Sequence, residues 1–259
     1  MHTGRVTHPL NLPEGARMIA PSAVAAAGEM YTDAEGMKPQ PAPAEMTPED
    51  IAASREEFVQ AAKNALAAGF DGVELHGANG YLLEQFIRPN SNIRKDDYGG
   101  PIANRARFVL EVAAAAADAI GKDRVGIRLS PFGIFNDMPH YDAIEADYAY
   151  LTERLAALGL LYLHIVDHSA MGAPQVPDSM KLTMRRLFRG AIILSGGYDA
   201  ERAQRDIDAG RGDLVAVGRD FLANPDLPAR WRQGAVLNKP DFDTFYTPGP
   251  KGYTDYPAL

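Results

Sequence analysis

An α/β fold built on a parallel sheet is what this sequence predicts, and three observations predict it. From residue 48 onward, short apolar runs alternate with stretches of helical length. Polar residues gather directly after the apolar runs, where parallel α/β sheets carry their sites. The length of 259 residues suits one domain, or at most two.

Residues 1–47 are rich in Pro, Gly, Ala and Met and show neither a helical nor a strand period, so they read as an irregular loop region. Thr47-Pro48-Glu49-Asp50 is a helix start: Thr as N-cap, Pro at the first helical position, acids in the first turn. The helix over 48–67 buries Ile51, Phe58, Ala62 and Leu66 on one face, and Gly69 is placed to end it. The βα repeats then follow. Strands are expected at 70–76, 124–129, 160–166, 191–195 and 214–217. Helices are expected at 101–120, 143–158, 179–188 and 199–209, with short ones near Asp220 and at 227–231. The repeats span 48–225, and 226–259 forms a C-terminal helix and an aromatic, turn-rich tail.

Two architectures fit this order, a (β/α)₈ barrel and an open doubly wound sheet. Gly196-Gly197 and Gly218-Arg219 follow consecutive strands near the C-terminus, which favours the barrel and its phosphate site. The count does not close, because five strands are found and a barrel has eight.

Composition narrows the function. A chain without cysteine has no disulfide, thiol nucleophile or thiolate metal site. A net charge of −8 argues against nucleic acid as a partner. No apolar run approaches the ~18 residues of a membrane span, and the N-terminus lacks the apolar core of a signal peptide. The expected address is the cytoplasm. No nucleotide P-loop, dinucleotide fingerprint or metalloprotease motif occurs. His164 and His168 lie four apart, but a strand does not hold such a pair together, so no metal site is expected; His164 reads as core and His168 as a residue of the site mouth.

The densest polar segment follows the strand ending at His76. It contains Asn79, Tyr81, Arg88, Asn90, Asn92, Arg94, Asp97 and Tyr98. His76 and Asn79 can both donate to one oxygen and so polarise a carbonyl, and Tyr81 can deliver a proton beside them. The bland alternative is that each satisfies the backbone of a tight turn. Arg128 stands inside an apolar strand. It either neutralises an electron-rich ring or a carboxylate, or pairs with an acid on the next strand such as Glu74. Ser195-Gly196-Gly197 and Gly218-Arg219 open helices, where backbone N–H groups and an Arg fork can cradle a phosphate. Ordinary turns requiring positive φ are the alternative. In the tail, Phe245 or Tyr246 can fold back over a pocket, or simply pack on the surface.

The run E-L-H-G-A-N-G-Y-L-L-E-Q-F, continuing into S-N-I-R-K-D-D-Y-G-G-P-I-A-N-R-A-R-F, resembles the Old Yellow Enzyme family of FMN-dependent ene-reductases. R-L-S-P at 128–131, S-G-G-Y at 195–198, V-G-R-D-F-L-A-N-P-D-L at 217–227 and G-Y-T-D-Y-P at 252–257 extend the resemblance over nearly the whole chain. It implies a (β/α)₈ TIM barrel that holds FMN, takes reducing equivalents from NADPH or NADH, and reduces an activated alkene such as an unsaturated carbonyl, a nitroalkene or a maleimide. It also implies roles. His76 and Asn79 bind the substrate oxygen, Tyr81 protonates the α-carbon, and Arg128 faces the electron-rich edge of the flavin ring. Ser195, Gly196, Gly197, Gly218 and Arg219 hold its phosphate, and Tyr246 lies near flavin and substrate. In the family, M-H-T-G-R-V-T-H-P resembles the segment just after the third strand. The resemblance therefore implies strands 4–8 and the loop after strand 3, with the earlier units absent. A complementing chain or a homo-oligomer is then expected to complete the site; a non-catalytic barrel remnant or interaction module is the alternative.

Overall fold

The computed structural model describes residues 3–259, so Met1 and His2 of the family-like opening segment lie outside it. The front of the chain carries four short strands: β1 (Ile19–Ala20), β2 (Glu29–Thr32), β3 (Gly36–Pro39) and β4 (Ala44–Glu45). β2 and β3 form an antiparallel hairpin, and β1 pairs with β4 in parallel. α1 (Pro48–Ala67) starts on a reciprocal capping box: Asp50 N–H donates to Thr47 Oγ1 at 3.1 Å and Thr47 N–H to Asp50 Oδ2 at 3.0 Å.

The rest follows the expected alternation. β5 (Val73–Gly77) leads through α2 (Leu82–Ile87) to α3 (Ile102–Arg105) and α4 (Arg107–Ile120). β6 (Val125–Leu129), α5 (Ile144–Leu158), β7 (Tyr162–Val166), α6 (Asp178–Leu187), β8 (Ala191–Ser195) and α7 (Ala200–Asp208) come next. β9 (Leu214–Ala216), α8 (Arg219–Ala223) and α9 (Leu227–Gln233) close the order. β5 to β9 form one parallel sheet in sequence order, with β5 and β9 as its edges. The single helix expected at 101–120 is interrupted at Ala106, whose backbone is still right-handed helical at φ −77°, so the path tightens without turning away. α2 was not expected; all six of its residues are buried, so it has no polar face to give it a period.

The register sorts side chains onto two faces. Leu75, Ile127, Leu163 and Ile192 share one side and are 0–4 % exposed beneath the helices. The other side of the same strands carries Glu74 and His76 (β5), Arg128 (β6), Tyr162 and His164 (β7) and Ser195 (β8). This polar side positions the candidate site.

Candidate active site

β5 ends in a turn whose backbone is held from several directions. Asn79 is left-handed at φ +60°, a conformation that Asn tolerates better than most residues. Its N–H donates to Ser130 Oγ at 2.8 Å, and its carbonyl accepts from Asn136 Nδ2 at 2.6 Å. Gly80 N–H donates to Glu84 Oε2 at 2.8 Å, and Ser130 Oγ donates to the same oxygen at 2.9 Å. Glu84 is 1 % exposed and also binds Arg88 (2.9 Å) and the hydroxyl of Tyr148 (2.7 Å) through Oε1. Arg88 in turn donates to the carbonyls of Ser130, Pro131 and Gly133. The Glu84–Arg88 pair, four residues apart, therefore ties the turn after β5 to the loop after β6.

Much of the polar segment is spent this way. Asn92 donates to the carbonyls of Phe86 and Tyr98, Arg94 to those of Pro21 and Met46, and Asn90 to that of Asp137. Packing therefore accounts for these residues.

His76, Asn79 and Tyr81 differ. None of their side chains makes a hydrogen bond to a described residue, so satisfying a tight turn does not account for them. His76 Nδ1 and Asn79 Oδ1 are buried without partners. The His76 and Tyr81 rings lie 5.0 Å apart, centroid to centroid. Burial, and then the charge of Arg128, lowers His76 to about 4, so at neutral pH it is an uncharged imidazole.

Arg128 stands opposite His76 in register. Its Nε lies 3.0 Å from Glu74 Oε1, but the N–H is not aimed at that oxygen; the contact is one of charge, and Nε keeps no hydrogen-bond partner. The structural pairing anticipated for Arg128 is thus present, and its donors remain unspent. His164, expected in the core, instead bridges Glu74 (Nδ1, 2.9 Å) and Ser195 Oγ (Nε2, 2.8 Å) and lines a cavity.

That cavity encloses about 670 Å³ and is lined by Arg128, His164, Ser195, Gly196, Gly197, Gly218, Arg219, Asp220 and Phe242, among others. Its size falls within the range of small-molecule and cofactor sites. The two glycine turns differ. A Cβ on Gly196 would meet the Asp167 carbonyl oxygen at 1.7 Å and one on Gly197 the Cβ of Ala170 at 2.5 Å, so packing alone demands glycine there. A Cβ on Gly218 would meet nothing within 4 Å, and its φ of −95° is ordinary. Arg219 has no hydrogen bond or ion pair with a described residue. Two arginines with free donors around one cavity suit a ligand that is anionic at more than one point, as a flavin phosphate is.

Tyr246 is 98 % exposed, and the tail places Phe242 on the cavity instead, stacked on Phe245 at 4.9 Å. His168 packs against Phe135 at 4.7 Å, with Nδ1 buried and unpartnered, outside the cavity lining. Neither His164 nor Phe242 was anticipated as lining. The signal for His164 was its place on the same alternating face as Arg128. The described residues contain no cluster suited to a metal ion.

The profile of the NADH:flavin oxidoreductase / NADH oxidase family matches residues 1–238. A probable flavin mononucleotide-dependent alkene reductase of Leishmania infantum is 42 % identical over 260 residues, covering 99 % of this chain and 70 % of that protein. 12-Oxophytodienoate reductase 2 of Arabidopsis thaliana is 46 % identical over 220 residues, covering 84 % of this chain and 59 % of that protein. Among solved structures, morphinone reductase superposes with a TM-score of 0.94 at 44 % identity, covering 100 % of this chain and 70 % of that one. Its complex with tetrahydroNAD gives a TM-score of 0.93, also at 44 % identity, covering 100 % of this chain and 71 % of that one. The likeness places the five-stranded arc as part of a (β/α)₈ barrel and resolves the choice against an open doubly wound sheet.

Proposed function

Because the chain belongs to the NADH:flavin oxidoreductase / NADH oxidase family, an oxidoreductase family, we propose that it reduces activated C=C bonds with FMN as cofactor and NADH or NADPH as reductant. The substrate class is a small alkene conjugated to a carbonyl or nitro group. The observation that carries this reading is the set of unspent polar atoms on His76, Asn79, Tyr81 and Arg128 along one side of the sheet. It also argues against a non-catalytic interaction module, which has no use for them.

When bound, FMN supplies the hydride that it takes from the nicotinamide. Arg128 and Arg219 offer the cofactor positive charge and free N–H donors, and Ser195, Gly196, Gly197 and Gly218 line the same cavity. His76 and Asn79 hold the substrate oxygen by N–H donation. His76 does so as a neutral ring, since it is lowered to about 4, and therefore polarises the oxygen without giving up a proton to it. That polarisation draws electron density from the β-carbon, which accepts the hydride. Tyr81, with its ring beside His76, delivers its hydroxyl proton to the α-carbon, and solvent returns one to it. Hydride and proton together saturate the double bond, and the nicotinamide is oxidised. Tyr246 stands in solvent, and Phe242 of the same tail lines the cavity in its place.

Two measurements test the reading. The purified chain is mixed with excess FMN, separated from free flavin and its visible spectrum recorded; absence of flavin bands overturns the proposal for this chain. In the flavin-loaded protein, Tyr81→Phe is expected to slow alkene reduction by about 10²–10⁴-fold, the usual range for a lost general acid. Flavin reduction by NADH should be nearly unchanged. Equal slowing of both half-reactions removes Tyr81 from its role.

A further inference from the structure

Four consecutive strands contribute one polar group each to a chain of contacts that reaches the cavity. Glu74 on β5 is its centre. Oε1 lies 3.0 Å from Arg128 Nε on β6, and Oε2 lies 2.9 Å from His164 Nδ1 on β7. His164 Nε2 lies 2.8 Å from Ser195 Oγ on β8. Tyr162, also on β7, feels the charge of Glu74. The sheet makes room for the Tyr162 ring at one position. Gly126 stands between Glu74 and Tyr162 in register, and a Cβ there would lie 2.2 Å from the Tyr162 ring.

We propose that Glu74 is the positioning residue of the cofactor site: it fixes the Arg128 guanidinium, offsets its charge and sets the tautomer of His164. The inference rests on the flavin reading above for what Arg128 faces, and on geometry alone for the rest. A carboxylate only accepts hydrogen bonds, so the proton between Glu74 and His164 belongs to Nδ1. A neutral His164 then presents a lone pair at Nε2, and the Ser195 hydroxyl donates to it. Ser195 consequently shows the cavity its lone pairs and not its proton. Glu74 is suited to the task because it is ionised. Burial pushes its carboxyl up, but the hydrogen bond from His164 and the charge of Arg128 are among the influences that outweigh burial and hold it below the ordinary glutamate range. Burial, and then the charge of Glu74, pushes the Tyr162 hydroxyl up to about 12.

The Arg128 contact has a further consequence. Because its N–H is not aimed at Glu74, the ion pair anchors the guanidinium without consuming its donors. Glu74 does not line the cavity whereas Arg128 does, so the carboxylate acts on a bound ligand through the arginine.

The experiment has two arms. In the FMN-loaded protein, Glu74→Gln keeps the shape and removes the charge. The midpoint potential of the flavin should shift in the positive direction, because an uncompensated Arg128 favours the electron-rich reduced ring. In an Arg128→Met background the same Glu74→Gln change should give a clearly smaller shift. No shift, or equal shifts in the two backgrounds, overturns the positioning role. In the apo protein, ¹⁵N NMR of the His164 ring at alkaline pH should show the proton on Nδ1, and Glu74→Ala should abolish that preference. A proton on Nε2 in the parent chain, or an unchanged ring signature in Glu74→Ala, overturns the relay. Failure of the parent chain to bind FMN strikes the flavin reading, and the His164 ring still decides the relay.

Discussion

Leu163 and His164 are adjacent in one strand and lie on opposite sides of the sheet. Leu163 is fully buried under the helices, with Ile127 and Ile192 beside it in register. His164 sits in a row of polar groups and lines the cavity. A strand period of two makes this separation automatic: one residue serves cohesion, and the next is free for chemistry. The side against the helices must be apolar because nothing else there can satisfy a polar group. The cavity side carries Glu74, His76, Arg128, Tyr162, His164 and Ser195 because neighbouring strands bring their partners within reach.

The largest expected effect lies on the helix side. Leu163→Ala should lower unfolding stability by about 2–5 kcal/mol, the cost of deleting a buried leucine and leaving a cavity. A urea titration checks this, and a loss below about 1 kcal/mol breaks the division between the two sides. One position along, His164→Ala removes the hydrogen bonds to Glu74 and Ser195 and should cost only about 0.5–1.5 kcal/mol. A loss as large as that of Leu163→Ala, read from the same titration, shows that the polar row also carries cohesion.

A third effect is one of pH. His76 takes its proton near 6.5 when unfolded and near 4 when folded, because burial and then Arg128 disfavour its charge. A depressed histidine favours the folded state above the unfolded value, and that contribution is lost as pH falls from 6.5 towards 4. His76→Gln should therefore flatten the decline in stability across this window. Parallel pH profiles for the two proteins, measured by denaturant midpoint, count against the burial of His76.

The two sides were unequally legible in the sequence. The five strands and the long helices after residue 47 were found near their observed bounds, because apolar alternation and caps such as Thr47-Pro48 are local signals. α2 was missed because a short helix buried all round has no amphipathic period. The paired strands before residue 47 were missed because two to four residues are too few to show one. His76, Asn79 and Tyr81 were legible as a cluster after a strand. Glu74 was legible only as a neighbour for Arg128, since its link to His164 depends on register across three strands. Arg88 and Glu84 stood four apart in plain view, yet only the folded chain shows them joining two loops.

That junction bears on how the protein could change over time. Glu84 and Arg88 clamp the Asn79–Gly80 turn to residues 130–133, so the two loops behave as a single rigid jaw. A mutation on either loop is transmitted to the other, which leaves little freedom for drift there. The tail carries no such clamp at Phe242 and Tyr246, which are 61 % and 98 % exposed. Variation in what the cavity admits, by natural divergence or by laboratory selection, has its least obstructed route through those aromatic positions, while the jaw stays fixed.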